Sequence, residues 1–212
     1  MRKNIAMLLC LVMVLSVALC GCSSEADALV GTWTATIDLA DALNEELAAD
    51  EEIGPYIQVS SFSLVYTMTF TSEDTYSMTV DETALSGEFE AMKAEVEAGL
   101  YSYLDAMIEA EGLSMTADEL LALSNMSMAD LLDEALSEDM ITGLVDELNM
   151  EGNFEAKDGK LFLSDGLEYS VDQTMYELYT LAGSTLTIDA GTASGADEMS
   201  QYIFPMVFTK AA

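Results

Sequence analysis

Two hydrophobic periods alternate along the chain, and the points where one gives way to the other divide it. In Val30–Ile37, Trp33, Ala35 and Ile37 stand every second residue against threonines, the pattern of a half-buried strand. Leu39, Leu43 and Leu47 then recur every four residues, predicting a helix over 39–50 before Gly54-Pro55. Phe62, Leu64, Tyr66, Met68 and Phe70 return to a period of two. Ser72-Glu73-Asp74 turns the chain, and Tyr76, Met78 and Val80 continue the apolar face, so a hairpin is predicted over 62–81.

From Leu85 to Asn149 the period is helical. Leu85, Phe89, Met92, Val96, Leu100, Tyr103 and Met107 form one stripe, which Gly112 interrupts. Thr116 with Glu119, and Ser127 with Asp130, have capping-box spacing, the second leading into a stripe of Leu131, Ala135, Leu144 and Leu148, so two long helices and a short one are predicted over 84–149. Strand alternation resumes after Gly152. Phe154 and Ala156 face Leu161 and Leu163 across Asp158-Gly159, a strong hairpin turn. Tyr176, Leu178 and Thr180 lead through Gly183 to Leu186 and Ile188. Tyr202, Phe204, Met206 and Phe208 end the chain as a strand, with Pro205 on the opposite face pointing to an edge or a bulge.

These segments predict eight strands, at 31–38, 62–71, 75–81, 152–157, 160–164, 175–182, 185–190 and 202–209. Eight antiparallel strands joined by hairpins are able to close into a barrel with a small interior. The expected fold class is therefore α+β: an antiparallel up-and-down, barrel-like sheet with a helical insertion. Residues 29–83 and 150–212 supply its two β parts, and 84–149 the insertion.

The first residues have a different character. Arg2 and Lys3 precede an apolar run, Ile5–Ala18, broken only by Ser16. That is the secretory pattern, and the run is short of the roughly 20 apolar residues that span a bilayer. It ends in Leu19-Cys20-Gly21-Cys22, which resembles the bacterial lipobox. The resemblance implies acylation of Cys22, removal of 1–21 as a signal peptide, and 22–28 as a lipidated tether holding an exported domain at a membrane. Two or more acyl chains make such attachment stable.

Composition narrows the chemistry. All 39 acidic residues follow the signal, against Lys93, Lys157, Lys160 and Lys210, a charge that disfavours nucleic acid as a partner. The chain has no histidine, which excludes a Ser-His-Asp triad and imidazole zinc sites. Cys22 is the last cysteine, so the exported domain has no disulfide. Neither a Walker loop nor a Gly-x-Gly-x-x-Gly turn occurs, and arginine is missing after the signal. Asp130, Asp133 and Glu134 share helical spacing, but a solvated face explains them better than a metal site. No catalytic residue, metal ligand or cofactor is assigned, and the expected role is non-enzymatic.

The order of motifs resembles the lipocalin-like lipoproteins of bacteria. Gly31-Thr32-Trp33 opens the first strand soon after the lipidated cysteine. Tyr66–Phe70, Asp158-Gly159-Lys160-Leu161, Gly183–Ile188 and Phe208-Thr209-Lys210 follow in sequence. The resemblance implies that Trp33 plugs one end of a barrel; the stretch 84–149 departs from the simple pattern. Two roles remain. In one, Phe62, Tyr66, Phe70, Tyr76, Tyr202, Phe204 and Phe208 line a space in the barrel mouth, or between insertion and sheet, for a small apolar or amphipathic ligand or a peptide. In the other, they are core, and helices 85–110 or 127–149 meet another envelope protein. An open apolar cavity of roughly 300 Å³ or more favours the first role; a solid interior with an exposed apolar strip favours the second.

Overall fold

The computed structural model describes residues 24–194 and 200–211. Its strands are β1 (Gly31–Asp38), β2 (Ser63–Phe70), β3 (Thr75–Val80), β4 (Met150–Lys157), β5 (Lys160–Leu163), β6 (Glu177–Ala182), β7 (Thr185–Asp189) and β8 (Met206–Lys210). Each pairs antiparallel with the next, and β1 also pairs with β8, so the sheet closes. The result is an eight-stranded, lipocalin-like barrel of the α+β class. Closure leaves no free edge for a second chain to extend.

Alternation decides what lies inside. Trp33, Ala35 and Ile37 of β1 and Leu64, Tyr66, Met68 and Phe70 of β2 point inward and are buried. The intervening threonines face out, and Thr32 and Thr69 place their hydroxyls 3.3 Å apart across the pair. The hairpins have the backbone that their residues favour. Asp158 and Gly159 both take positive φ (55° and 72°), the type I′ geometry that matches strand twist.

One barrel end is shut by α1 (Glu25–Leu29), a single helical turn. Ser24 and Asp27 form a capping box at its start. Leu29 is fully buried, and its carbonyl accepts a hydrogen bond of 2.7 Å from the Trp33 indole, itself fully buried. The Glu25 carboxylate accepts from the Tyr179 hydroxyl (2.8 Å) and the Gly159 amide (3.2 Å). Residues 24–28, expected as part of a tether, thus belong to a docked plug. Five residues are too few to show a helical period, so the sequence hides it.

The helices gather at the other end. They are α2 (Ala40–Ala48), α3 (Glu82–Ala110), α4 (Ala117–Leu123), α5 (Met128–Ala135) and α6 (Glu138–Leu148), with a 3₁₀ turn at Gly54–Tyr56. Although α3–α6 separate β3 from β4, these strands remain neighbours, with Thr75 opposite Asn153. The insertion therefore leaves and re-enters the barrel without opening it. Both expected capping boxes are present, at Thr116 and Ser127.

Two boundaries differ from the periodicity. Residues 127–149 form two helices, because Ser137 starts a new one and its hydroxyl accepts from the Met140 amide at 3.3 Å. The insertion is thus one long helix and three short ones. At the C-terminus, Tyr202 lies in α7 (Ser200–Ile203), Phe204-Pro205 is a cis peptide, and β8 starts only at Met206. Pro205, which has no N–H to donate, precedes the ladder and marks neither an edge nor a bulge.

Truncating Leu29 to Ala should cost about 2–5 kcal/mol in urea unfolding, as for a core leucine. A cost within about 0.5 kcal/mol, typical of surface sites, means that the segment is a free tether.

Candidate functional site

The aromatics singled out from the sequence divide into two sets. Phe62, Tyr66, Phe70, Tyr76 and Phe208 are buried with Trp33 in one continuous core. Phe70 packs edge-on against Phe154 at 4.7 Å between ring centroids, and Phe62 against Phe89 of α3 at 5.2 Å. The Tyr76 hydroxyl donates to the Ser164 carbonyl at 3.0 Å, and burial, helped by the Asp165 charge, pushes its pKa up to about 12. None of these five lines any of the five principal cavities among the described residues. Large side chains fill the narrow interior that eight strands enclose.

Tyr202 and Phe204 lie outside this set. Phe204 packs on the core's margin. Tyr202 donates its hydroxyl to the Glu45 carboxylate and lines a cavity of about 510 Å³ with Leu39, Ala42, Leu43, Glu45, Glu46 and Gln201.

The most apolar space is a groove of about 480 Å³ at the helical end. Leu43 and Leu47 of α2, Met92, Val96 and Leu100 of α3, and Leu131, Leu132 and Ala135 of α5 form its walls, with Leu136 just beyond α5. Ile53 and Ile57 close it on either side of the 3₁₀ turn, and Glu46 is its single charged lining residue. Leu43 and Glu46 also line the Tyr202 cavity, so the two spaces flank the same face of α2.

Polar contacts fix the positions of the walls. The Asn44 side chain both donates to the Val59 carbonyl and accepts from the Val59 amide, each at 2.8 Å. The Glu95 carboxylate accepts from the Ser60 amide at 3.0 Å and from the Ser60 hydroxyl, and these bonds hold its pKa below the usual carboxylate value. Gly99 lets α3 touch the 3₁₀ turn, since a Cβ there would lie 2.6 Å from the Tyr56 carbonyl oxygen. Lys93 bridges α3 to Asp133 of α5 at 2.5 Å, an exposed pair that fixes position more than it stabilises.

A larger cavity, about 790 Å³, opens beside the 164–176 loop at the rim of the barrel and is lined by the core residue Leu161 together with Ser164, Asp165, Asp172 and Glu177, among others. Glu177 is buried, but its carboxylate is occupied by the Gly191 amide (2.5 Å) and the Ser194 hydroxyl (2.8 Å). Of the acids weighed as a metal site, Asp130 caps α5 by accepting from the Ser127 amide and hydroxyl, and Asp133 holds Lys93. Among the described residues, no group of three or more acidic, cysteine or histidine side chains is placed to hold a metal ion.

Most groove residues belong to stripes visible in the sequence, but nothing in a stripe tells which other stripe it faces. Ile53 and Ile57 carry no such signal. Cys22 lies outside the described residues. No helix among the described residues is long and apolar enough to cross a membrane. Comparison with protein families, characterised proteins and solved structures finds no match to this chain.

The Tyr76 phenol gives the fold a high-pH limit. The native state retains its proton between the ordinary value of 10.0 and about 12, whereas the unfolded chain releases it. The stability it contributes is complete below pH 10 and lost as pH rises to 12. Urea unfolding at pH 9 and 11.5 should show a smaller loss in Tyr76→Phe than in the parent protein; equal losses rule out this phenol as a source.

Proposed function

We propose that this protein is a lipocalin-like lipoprotein of the bacterial cell envelope, held at a membrane by acyl chains on Cys22, that binds a small apolar or amphipathic molecule. Its binding site is the groove between α2, α3 and α5, and the barrel is the scaffold. The observation that carries this reading is the groove's lining: eleven apolar residues and one carboxylate around about 480 Å³ of space open to solvent. That volume lies within the range of small-molecule sites, which are concave, mostly apolar and marked by few polar groups. The single acid, Glu46, and the acidic surroundings favour an uncharged or cationic ligand over an anionic one.

A protein partner on the insertion is the second reading. Met107, Leu113, Leu123, Met126 and Met140 are exposed there, Leu123 by 72%. Crosslinking on intact cells is expected to capture one specific neighbour through these residues if that reading holds.

Ligand binding is tested with the uncharged probe N-phenyl-1-naphthylamine. Val96→Trp, which fills the groove from α3, is expected to weaken probe binding by about tenfold or more, equivalent to about 1.4 kcal/mol. Tyr76→Phe, in the barrel interior, should leave it unchanged. No uptake by the parent protein, or equal uptake by Val96→Trp, contradicts the assignment.

A further inference from the structure

The two barrel ends differ in charge far more than the chain's overall acidity suggests. Residues 38–52 and 81–149, which leave and rejoin the sheet at the helical end, contain 25 of the 39 acidic residues and one lysine, Lys93. The opposite end comprises 24–31, the turns 71–74, 157–160 and 182–185, and 210–211, with residues 168–171 lining a cavity there beside Ser24, Ala26 and Asp74. It carries six acids, Glu25, Asp27, Glu73, Asp74, Asp158 and Glu168, together with Lys157, Lys160 and Lys210, every other lysine that follows the signal.

We propose that the end closed by α1 is the face that meets an anionic lipid surface, with the helical end directed away from it. This rests on acylation of Cys22. Only Ser23 separates Cys22 from Ser24, and two extended residues reach about 7 Å. Ser24 caps α1, and α1 is bound to the barrel through the Glu25 bonds to Tyr179 and Gly159 and the Trp33 bond to Leu29. A lipid on Cys22 therefore anchors this end of the molecule.

Charge then selects the tilt. With six carboxylates and three ammonium groups the closed end is itself mildly acidic, far less so than the helical end, so the choice comes from what is kept away. Strands of eight residues, rising about 3.3 Å each and tilted by about 40°, set the two ends ~20 Å apart. That is about two and a half Debye lengths at physiological salt. In the upright pose the helical carboxylates are screened from lipid phosphates; lying down brings them within one Debye length, where repulsion acts. Two of the three closed-end ammonium groups are held against the protein, and the third is exposed. The Lys210 ammonium donates to the Val30 carbonyl at 2.9 Å, Lys160 lies 4.0 Å over the Tyr176 ring, and Lys157 is exposed.

The full chain, made in a bacterium that acylates it, would be reconstituted in phosphatidylglycerol vesicles containing a headgroup-labelled quencher lipid. A fluorophore is placed at Ser184→Cys in the β6–β7 turn or at Ser124→Cys after α4, both exposed positions. Quenching is expected to be several-fold stronger at 184 than at 124. The contrast should shrink in phosphatidylcholine vesicles or at about 1 M salt. Equal quenching, or stronger quenching at 124, overturns the orientation while leaving acylation intact. A contrast that ignores lipid charge overturns the electrostatic argument. A chain that does not float with the vesicles overturns both acylation and orientation.

Discussion

The pairing of β1 with β8 is the constraint on which the rest depends. It turns an open sheet into a closed wall, so every inward side chain must fit a space of fixed and small cross-section. Trp33, Met68, Phe70, Leu161, Leu186 and Phe208 occupy that space almost without exposure. Because the interior is spent on packing, the binding space proposed for this protein lies outside the barrel. The long connections at the helical end supply the material for it.

Closure also explains why a 69-residue insertion is tolerated. β3 and β4 keep their pairing whatever happens between Val80 and Met150, and the connection is tied at both ends. Asp81 donates its amide to the Val65 carbonyl at 2.8 Å, and the Asn149 side chain accepts from the Val80 amide at 2.9 Å. With its root fixed, α3 lays Phe89 on Phe62 and presents Met92, Val96 and Leu100 to α2 and α5. The groove is thus a consequence of where the insertion is rooted, and the Asn44 and Glu95 contacts tie α2 and α3 to the same segment at Val59-Ser60.

The parts of the structure legible in the sequence are those that local chemistry determines. Strand alternation from 62 to 81, the Asp158-Gly159 turn and the caps at Thr116 and Ser127 each need only a few neighbouring residues. The parts that escaped are settled by distant contacts. Tyr202 and Phe204 alternate with Met206 and Phe208 as a strand would, yet the ladder with β7 runs only from Met206 to Thr209. Ser24–Leu29 looks polar and short, and becomes ordered because Trp33 and Tyr179 wait for it at the barrel end. The candidate site was half visible: the apolar stripes could be read, whereas the meeting of three of them around one groove is a tertiary fact. The aromatic residues most conspicuous in the sequence were conspicuous because they form the core.

A filled barrel with the proposed binding space among the helices makes a clear forecast for methyl NMR during titration with an uncharged single-chain amphiphile. Shifts are expected for the Leu47, Val96 and Leu131 methyls, with those of Leu64, Met68 and Leu186 unmoved. Shifts concentrated on the latter three would contradict it, because the ligand would then be inside the barrel.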